Sequence, residues 1–149
     1  MTNKLNALMN DKLHQDYAIE SGVAMHVRMQ NIFFDADGNA SGDTDIIAKI
    51  SNNKELVEYM GPLSRTEVPI AGYIGGRFVS CRVDRLYLNE QTKQIVVVDY
   101  KTDIDKERFR RKYIDQLTEY HKLLCDAYPE FTVRGFILWT NDFKLENII

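Results

Sequence analysis

Gln94-Ile95-Val96-Val97-Val98-Asp99-Tyr100-Lys101 is the stretch that decides how this chain folds. Four consecutive aliphatic residues between polar ends predict a strand buried on both faces. Successive strand side chains point to opposite faces, so Asp99 and Lys101 share one face and Tyr100 takes the other. A carboxylate and an ammonium side by side at a strand end can hold a metal ion and a water, or they can form a structural ion pair. An isolated D-x-K does not choose between these.

The flanking sequence supplies partners for this strand. Glu67–Tyr73 and Arg77–Leu88 predict two more strands, with Gly75-Gly76 and Asn89–Lys93 as turns, so the three form an antiparallel meander. Val79, Cys81 and Val83 alternate onto one face, which leaves Ser80, Arg82 and Asp84 on the other. A hairpin of the second and third strands brings Asp84 close to Asp99. Two carboxylates at that distance repel each other unless a cation lies between them. Mg²⁺ takes a few hard oxygens and keeps some of its waters, and the Tyr100 carbonyl is available as a third oxygen.

Elsewhere the pattern is mixed α and β. Lys4 to about Ile32 predicts one or two helices, broken near Ser21-Gly22, and Asp35–Asp43 predicts a loop. Asp45–Met60 predicts helix in two pieces around Ser51-Asn52-Asn53. Asp105–Ala127 predicts a helix stopped by Pro129, followed by strands at Thr132–Thr140 and Phe143–Ile149. In the long helix Phe109, Tyr113, Gln116, Leu117, Tyr120 and Leu124 form one stripe at three- and four-residue steps. Gln116 is its odd member: a boundary glutamine, or an amide that reaches the carboxylate site. His26 poses a similar choice between a packed histidine and a functional one.

The 149 residues fit one domain, 1–149, large enough for a hydrophobic core. Hydrophobic residues make up 44% and charged residues 28%, ordinary for a globular protein. No segment approaches the ~20 apolar residues that span a bilayer. Met1–Asn10 lacks the basic start and apolar block of a secretion signal. Cys81 and Cys125 are far apart, fit a reducing compartment, and are too few for an iron–sulfur cluster or a four-thiolate zinc site. The expected location is the cytoplasm. A net charge of −3 and a pI near 5.6 argue against a protein that simply coats nucleic acid. They leave room for an enzyme whose carboxylates gather cations. Lys106, Arg108, Arg110, Arg111 and Lys112 form one basic cluster, either a solvated helix face or a patch that tracks phosphates.

Five short stretches in order carry a family resemblance: Gly22-Val23-Ala24-Met25-His26, Glu67-Val68-Pro69, Val83-Asp84-Arg85-Leu86, Val98-Asp99-Tyr100-Lys101-Thr102, and Gln116-Leu117-Thr118-Glu119-Tyr120. Together they resemble the nuclease domain of the RecB/AddA family, a branch of the PD-(D/E)XK superfamily, over about residues 17–139. The resemblance implies a restriction-endonuclease-like α/β core, a central mixed sheet flanked by helices. It also implies metal-dependent hydrolysis of DNA phosphodiesters, as in exonucleases of repair and recombination, in a bacterial cytoplasm close to the nucleoid. His26, Asp84, Asp99 and the Tyr100 carbonyl would hold one or two Mg²⁺ or Mn²⁺ ions. Lys101 would orient or deprotonate the attacking water, with Gln116 supporting the site. Tyr120, Arg108, Arg111 and Lys112 would meet the nucleic acid, and Glu67 matches an acidic position of less defined role.

The chain departs from the family in two respects. Full-length members join this domain to a helicase motor, yet no G-x-x-x-x-G-K-[ST] is present, and Gly72–Gly76 reads as a hairpin signal. The four cysteines of iron–sulfur relatives are also missing. The expectation is therefore a nuclease domain that works with a helicase motor in cis or in trans, or a small stand-alone relative. A catalytically inactive DNA- or partner-binding module of the same fold is the alternative reading, and a hydrolase of small phosphoesters is a third.

Overall fold

In the computed structural model, residues 2–103 and 105–149 are described, with the side chains at 2, 3, 5, 11 and 13–21 outside that description. The chain opens with one uninterrupted helix, α1 (Thr2–Gln30). The break expected near Ser21-Gly22 does not occur. Gly22 serves close packing instead, because a Cβ there would stand 3.2 Å from Thr102 Oγ1. Strand β1 (Phe33–Phe34), just before the expected loop, pairs antiparallel with β2 (Ala40–Ser41) inside it. Asp35 closes the tip by accepting from the backbone N–H groups of Asp37 and Asn39. Two short helices follow, α2 (Thr44–Ile50) capped by Asp43 and α3 (Lys54–Tyr59) capped by Asn53, with Ser51–Asn53 dividing them as expected.

Five strands make the central sheet: β3 (Ser64–Ile74), β4 (Arg77–Asn89), β5 (Gln94–Lys101), β6 (Thr132–Trp139) and β7 (Lys144–Asn147), in that spatial order. Helix α4 (Lys106–Ala127) joins β5 to β6, which are parallel, and the other neighbours are antiparallel. The sheet is therefore mixed and the meander of β3, β4 and β5 is as expected. Alternation along β5 sends Val96, Val98 and Tyr100 into a core with Met29, Ile46 and Leu56 of the first three helices. Ile95 and Val97 enter a second core with Leu117, Tyr120 and Leu124 of α4. A strand covered on both faces has no polar side to present, which is why it reads as one apolar run.

One step of the sheet breaks this regularity. The β3–β4 ladder pairs Thr66 with Arg85 and Val68 with Val83, but skips Glu67 and Asp84. Glu67 has φ of 54°, in the left-handed region that is rare for a side chain of its size. On the α4 side of the step lie Val68, Ile70, Cys81 and Val83. Beyond it Ser64 and Arg85 meet on the α1 side, although Ser64 and Val68 share parity, as do Val83 and Arg85. Both strands change faces together at Glu67 and Asp84. At this step β4 also separates from β5, since their ladder starts at the pair Arg85 and Val98.

Candidate active site

The separation of β4 from β5 opens a gap into which Asp84 projects, and there it becomes a neighbour of Asp99. Asp84 Oδ2 accepts the backbone N–H of Tyr100 at 2.8 Å, in place of a ladder partner. Residues paired across a strand exchange N–H and C=O on one side, so the Tyr100 carbonyl faces Asp84 too. From α1, His26 Nε2 stands 3.1 Å from the same Asp84 oxygen, and His26 Nδ1 donates to the Gly22 carbonyl at 3.0 Å. Both ring nitrogens thus face acceptors, and His26 is pushed up to about 9. The Asp84 hydrogen bond is the main cause, and burial opposes it. Burial is the largest influence on Asp84, yet the bonds from His26 and Tyr100 outweigh it and hold its carboxyl below the ordinary value.

Asp99 behaves in the opposite way. Its side chain is 4% exposed, and burial first, the Asp84 charge second, push it up to about 7 against the pull of Lys101. Lys101 Nζ lies 2.8 Å from Asp99 Oδ2, but without hydrogen-bond alignment, so that buried oxygen has no hydrogen-bond partner among the described residues. The contact supplies charge and leaves a lone pair open. The Lys101 ammonium donates instead to Gln116 Oε1 at 3.0 Å and lies 4.3 Å from the centre of the Tyr113 ring. Gln116 Nε2 donates to the Tyr120 hydroxyl at 2.7 Å, and that hydroxyl donates to the Arg82 carbonyl at 3.3 Å. Gln116 therefore fixes Lys101 through a line of bonds that ends on β4. Two neighbouring carboxylates with pKa values displaced in opposite directions make a pattern suited to acid–base and metal chemistry.

His26, Asp84, Asp99, Tyr100, Lys101 and Gln116 are thus brought together. Tyr120 is buried and its hydroxyl is committed, so it belongs to the support of Gln116 rather than to a surface that meets a ligand. Glu67 stands opposite Asp84 and turns its carboxylate to Arg82, 3.6 Å away. The basic cluster divides. Lys106 pairs with Asp142, Arg110 with Glu146, and Arg111 with Asp115 one turn on. Arg108 and Lys112 have no ion-pair partner among the described residues. They fall on one i, i+4 row with Gln116, which leads along α4 into the site.

The composition pattern did not single out Arg85, which is 0% exposed. Its guanidinium donates to the Tyr100 hydroxyl at 2.9 Å, to the Met29 and Ile32 carbonyls at 2.9 and 2.8 Å, and to Ser64 Oγ at 3.4 Å. A cation at the C-terminal end of α1 satisfies carbonyls that the helix cannot and meets the negative end of its dipole. By the same bonds it ties the helix of His26 to the residue whose N–H holds Asp84. The Val83-Asp84-Arg85-Leu86 stretch contains the only sequence signal for it, a charged residue inside an apolar strand.

The donor set meets some needs of a divalent cation. The open Asp99 oxygen is one. The Nδ1–H bond of His26 to Gly22 is another, since it leaves Nε2 as the ligand nitrogen once the ring is neutral. Adjacent ligands about Mg²⁺, with bonds of ~2.1 Å, stand ~3 Å apart, close to the 3.1 Å between Nε2 and Asp84 Oδ2. No group of three or more histidine, cysteine or carboxylate side chains among the described residues meets the geometry of a ready-made metal site. Backbone oxygen and water would have to complete the shell. No protein-family model matches the chain, and no curated protein matches its sequence. No helix of the described residues is long and apolar enough to cross a membrane.

Proposed function

We propose that this mixed α/β chain is a nuclease of the PD-(D/E)XK type, dependent on Mg²⁺ or Mn²⁺, that hydrolyses DNA phosphodiesters. The observation that carries the reading is the buried Asp99 oxygen, open on one side and held beside Asp84 and Lys101. Asp84, Asp99, the Tyr100 carbonyl and neutral His26 would hold the cation. When bound it polarises the phosphoryl oxygen, lowers the pKa of water and offsets the developing negative charge. Lys101, restrained between Asp99 and Gln116, orients the attacking water and stabilises charge on the phosphoryl group. Gln116 sets the direction of that ammonium, and Tyr120 sets Gln116. Arg108 and Lys112, on the same helix row, supply cations to the phosphates that lead up to the scissile one. A helicase motor, in cis or in trans, is the proposed partner that delivers DNA ends.

Cleavage of labelled single-stranded and duplex DNA with each cation tests this reading. The protein should cut with Mg²⁺ or Mn²⁺ and stop with a chelator, and Asp99→Asn and Lys101→Ala should be inactive while folded. Cleavage by either variant at the normal rate would remove the mechanism. The contact between His26 and Asp84 favours a second reading, an inactive module of the same fold, because it occupies two of the donors. Calorimetry with Mn²⁺ separates the two: heat of binding supports the nuclease, and its absence supports the module.

A further inference from the structure

The ribbon of β3 and β4 beyond the Glu67–Asp84 step has one face to spare. Its inner face, with Val68, Ile70, Cys81 and Val83, packs on α4, and Gly72 lies so close that a Cβ would stand 2.9 Å from Leu123 Cδ2. The helix therefore fixes the ribbon's path. The outer face carries three cross-strand pairs in line from the site: Pro69 with Arg82, Ala71 with Ser80, and Tyr73 with Phe78. The middle of this line is low, made of small side chains. At its site end Arg82 is 68% exposed, held only loosely by Glu67 at 3.6 Å. At its far end Tyr73 and Phe78 are 67% and 60% exposed, with ring centres 5.5 Å apart and planes at 65°. Gly75 and Gly76, both at positive φ, close the turn just beyond them.

Two aromatic rings on the tip of a fixed ribbon, on the face away from the core, add nothing to the burial of either core. Rings in that position suit the stacking of unpaired bases, which every base accepts because each has a π-face. The line also leads to the site, because Ser80 and Arg82 lie on the outer face of β4 and Asp84 follows Arg82 two positions on, at the step where the strand changes faces. We infer that this outer face is a track for single-stranded DNA that starts at Asp84, passes Arg82 and ends with a base stacked on Tyr73 and Phe78. The inference rests on the phosphodiester reading and adds to it a strand-binding surface with a defined length. Phe78 lies six positions from Asp84 along β4, so the track is ~20 Å long at ~3.4 Å per residue. That length accommodates about six nucleotides at the ~3.4 Å spacing of stacked bases, and fewer when the strand is extended.

The test is fluorescence anisotropy of the full chain with labelled oligothymidylates of two to twelve nucleotides in a chelator, alongside cleavage assays with Mg²⁺ and Mn²⁺. Affinity should climb with length until about six nucleotides and then level off. Tyr73→Ala combined with Phe78→Ala should weaken binding of the long oligomers about tenfold or more. It should abolish the climb with length and keep the melting temperature. Tyr128→Ala, another exposed aromatic, at the end of α4 and off the ribbon's outer face, should leave the affinities alone. If the unaltered protein cleaves DNA and the double variant binds every length equally well, the track is overturned and the nuclease reading stands. If the unaltered protein hydrolyses a small diester such as bis(p-nitrophenyl) phosphate but binds no oligomer, the track is likewise overturned. Absence of both cleavage and oligomer binding in the unaltered protein overturns the reading and the track with it.

Discussion

The two halves of the site, one facing α1 and the other facing α4, are built to different standards. On the α1 side each charged group is closed off: His26 against Asp84 and Gly22, Asp84 against Tyr100, Arg85 against four oxygens. On the α4 side a buried carboxylate oxygen of Asp99 is left without a hydrogen bond, beside an ammonium that bonds elsewhere. Buried polar atoms are rarely left open, because each costs roughly 1–3 kcal/mol. The difference assigns the halves different work. The α1 half is a support whose loss harms the fold, and the α4 half holds a reactive group at the expense of stability.

Substitutions at Asp99 and Lys101 put the comparison under the greatest strain. Lys101→Ala should lower DNA cleavage by at least about 10²–10³-fold, the range seen when one group that stabilises developing charge is removed. Asp99→Asn should remove cleavage and raise the melting temperature of the cation-free protein, because an amide carries no buried charge. A lower melting temperature for Asp99→Asn would mean that Asp99 is structural and that the two halves do not differ. Kinetics with a labelled oligonucleotide and a thermal melt decide both.

Arg85→Met tests the other half. Removing the guanidinium leaves the Ile32 carbonyl and the Tyr100 hydroxyl buried without that donor, and leaves the Met29 carbonyl with the Ile32 N–H alone. The expected loss is about 3 kcal/mol or more, read as a lower urea midpoint. The same change should weaken Mn²⁺ binding in calorimetry, since α1 then no longer holds His26 in place. A stable Arg85→Met protein would show that the α1 half is not the support described.

What was legible in the sequence follows the same division. Strand β5 matches its expected span, Gln94–Lys101, residue for residue, because burial on both faces leaves a continuous apolar signal bounded by polar groups. The approach of Asp84 to Asp99 followed from alternation and one hairpin. Three features were hidden for physical reasons. Gly22 looked like a helix break because its reason, Thr102, lies eighty positions further along. Arg85 looked like any charged residue, since arginine is almost always exposed and only the helix end beside it makes burial tolerable. The face change at Glu67 depends on a backbone angle that no periodicity encodes.

The pH response sharpens the comparison further. Asp99 is raised to about 7 from an ordinary value near 4, so its protonated form is favoured by folding. That stability is fully present below pH ~4 and is lost as the pH rises through about 7. His26, raised to about 9, contributes stability that is fully present below pH ~6.5 and is lost as the pH rises through 9. Both shifts have the same sign, so the cation-free protein should melt at progressively lower temperature from pH 5 to pH 9. A divalent cation requires Asp99 ionised and His26 neutral. Millimolar Mn²⁺ should therefore add little at pH 5 and most at pH 9, up to about 2.7 kcal/mol at a hundredfold excess over Kd. A cation effect that is independent of pH would exclude His26 and Asp99 as ligands.

The smallest effect concerns the step at which the two halves meet. At an ordinary strand position Ala→Gly costs roughly 0.5–1 kcal/mol through added freedom of the unfolded chain, and Ala71→Gly on the same strand should do so. At Glu67 the left-handed backbone penalises any side chain by roughly 1–2 kcal/mol, a penalty that glycine escapes. The two effects oppose each other there, so Glu67→Gly should be at least as stable as Glu67→Ala in urea titrations. The loose ion pair with Arg82 drops out of that comparison because both variants lack it. If Glu67→Gly lost as much relative to Glu67→Ala as Ala71→Gly loses relative to the unaltered chain, the step would hold no unfavourable backbone angle. The change of faces that turns Asp84 toward His26 would then have to come from its packing against Tyr100 alone.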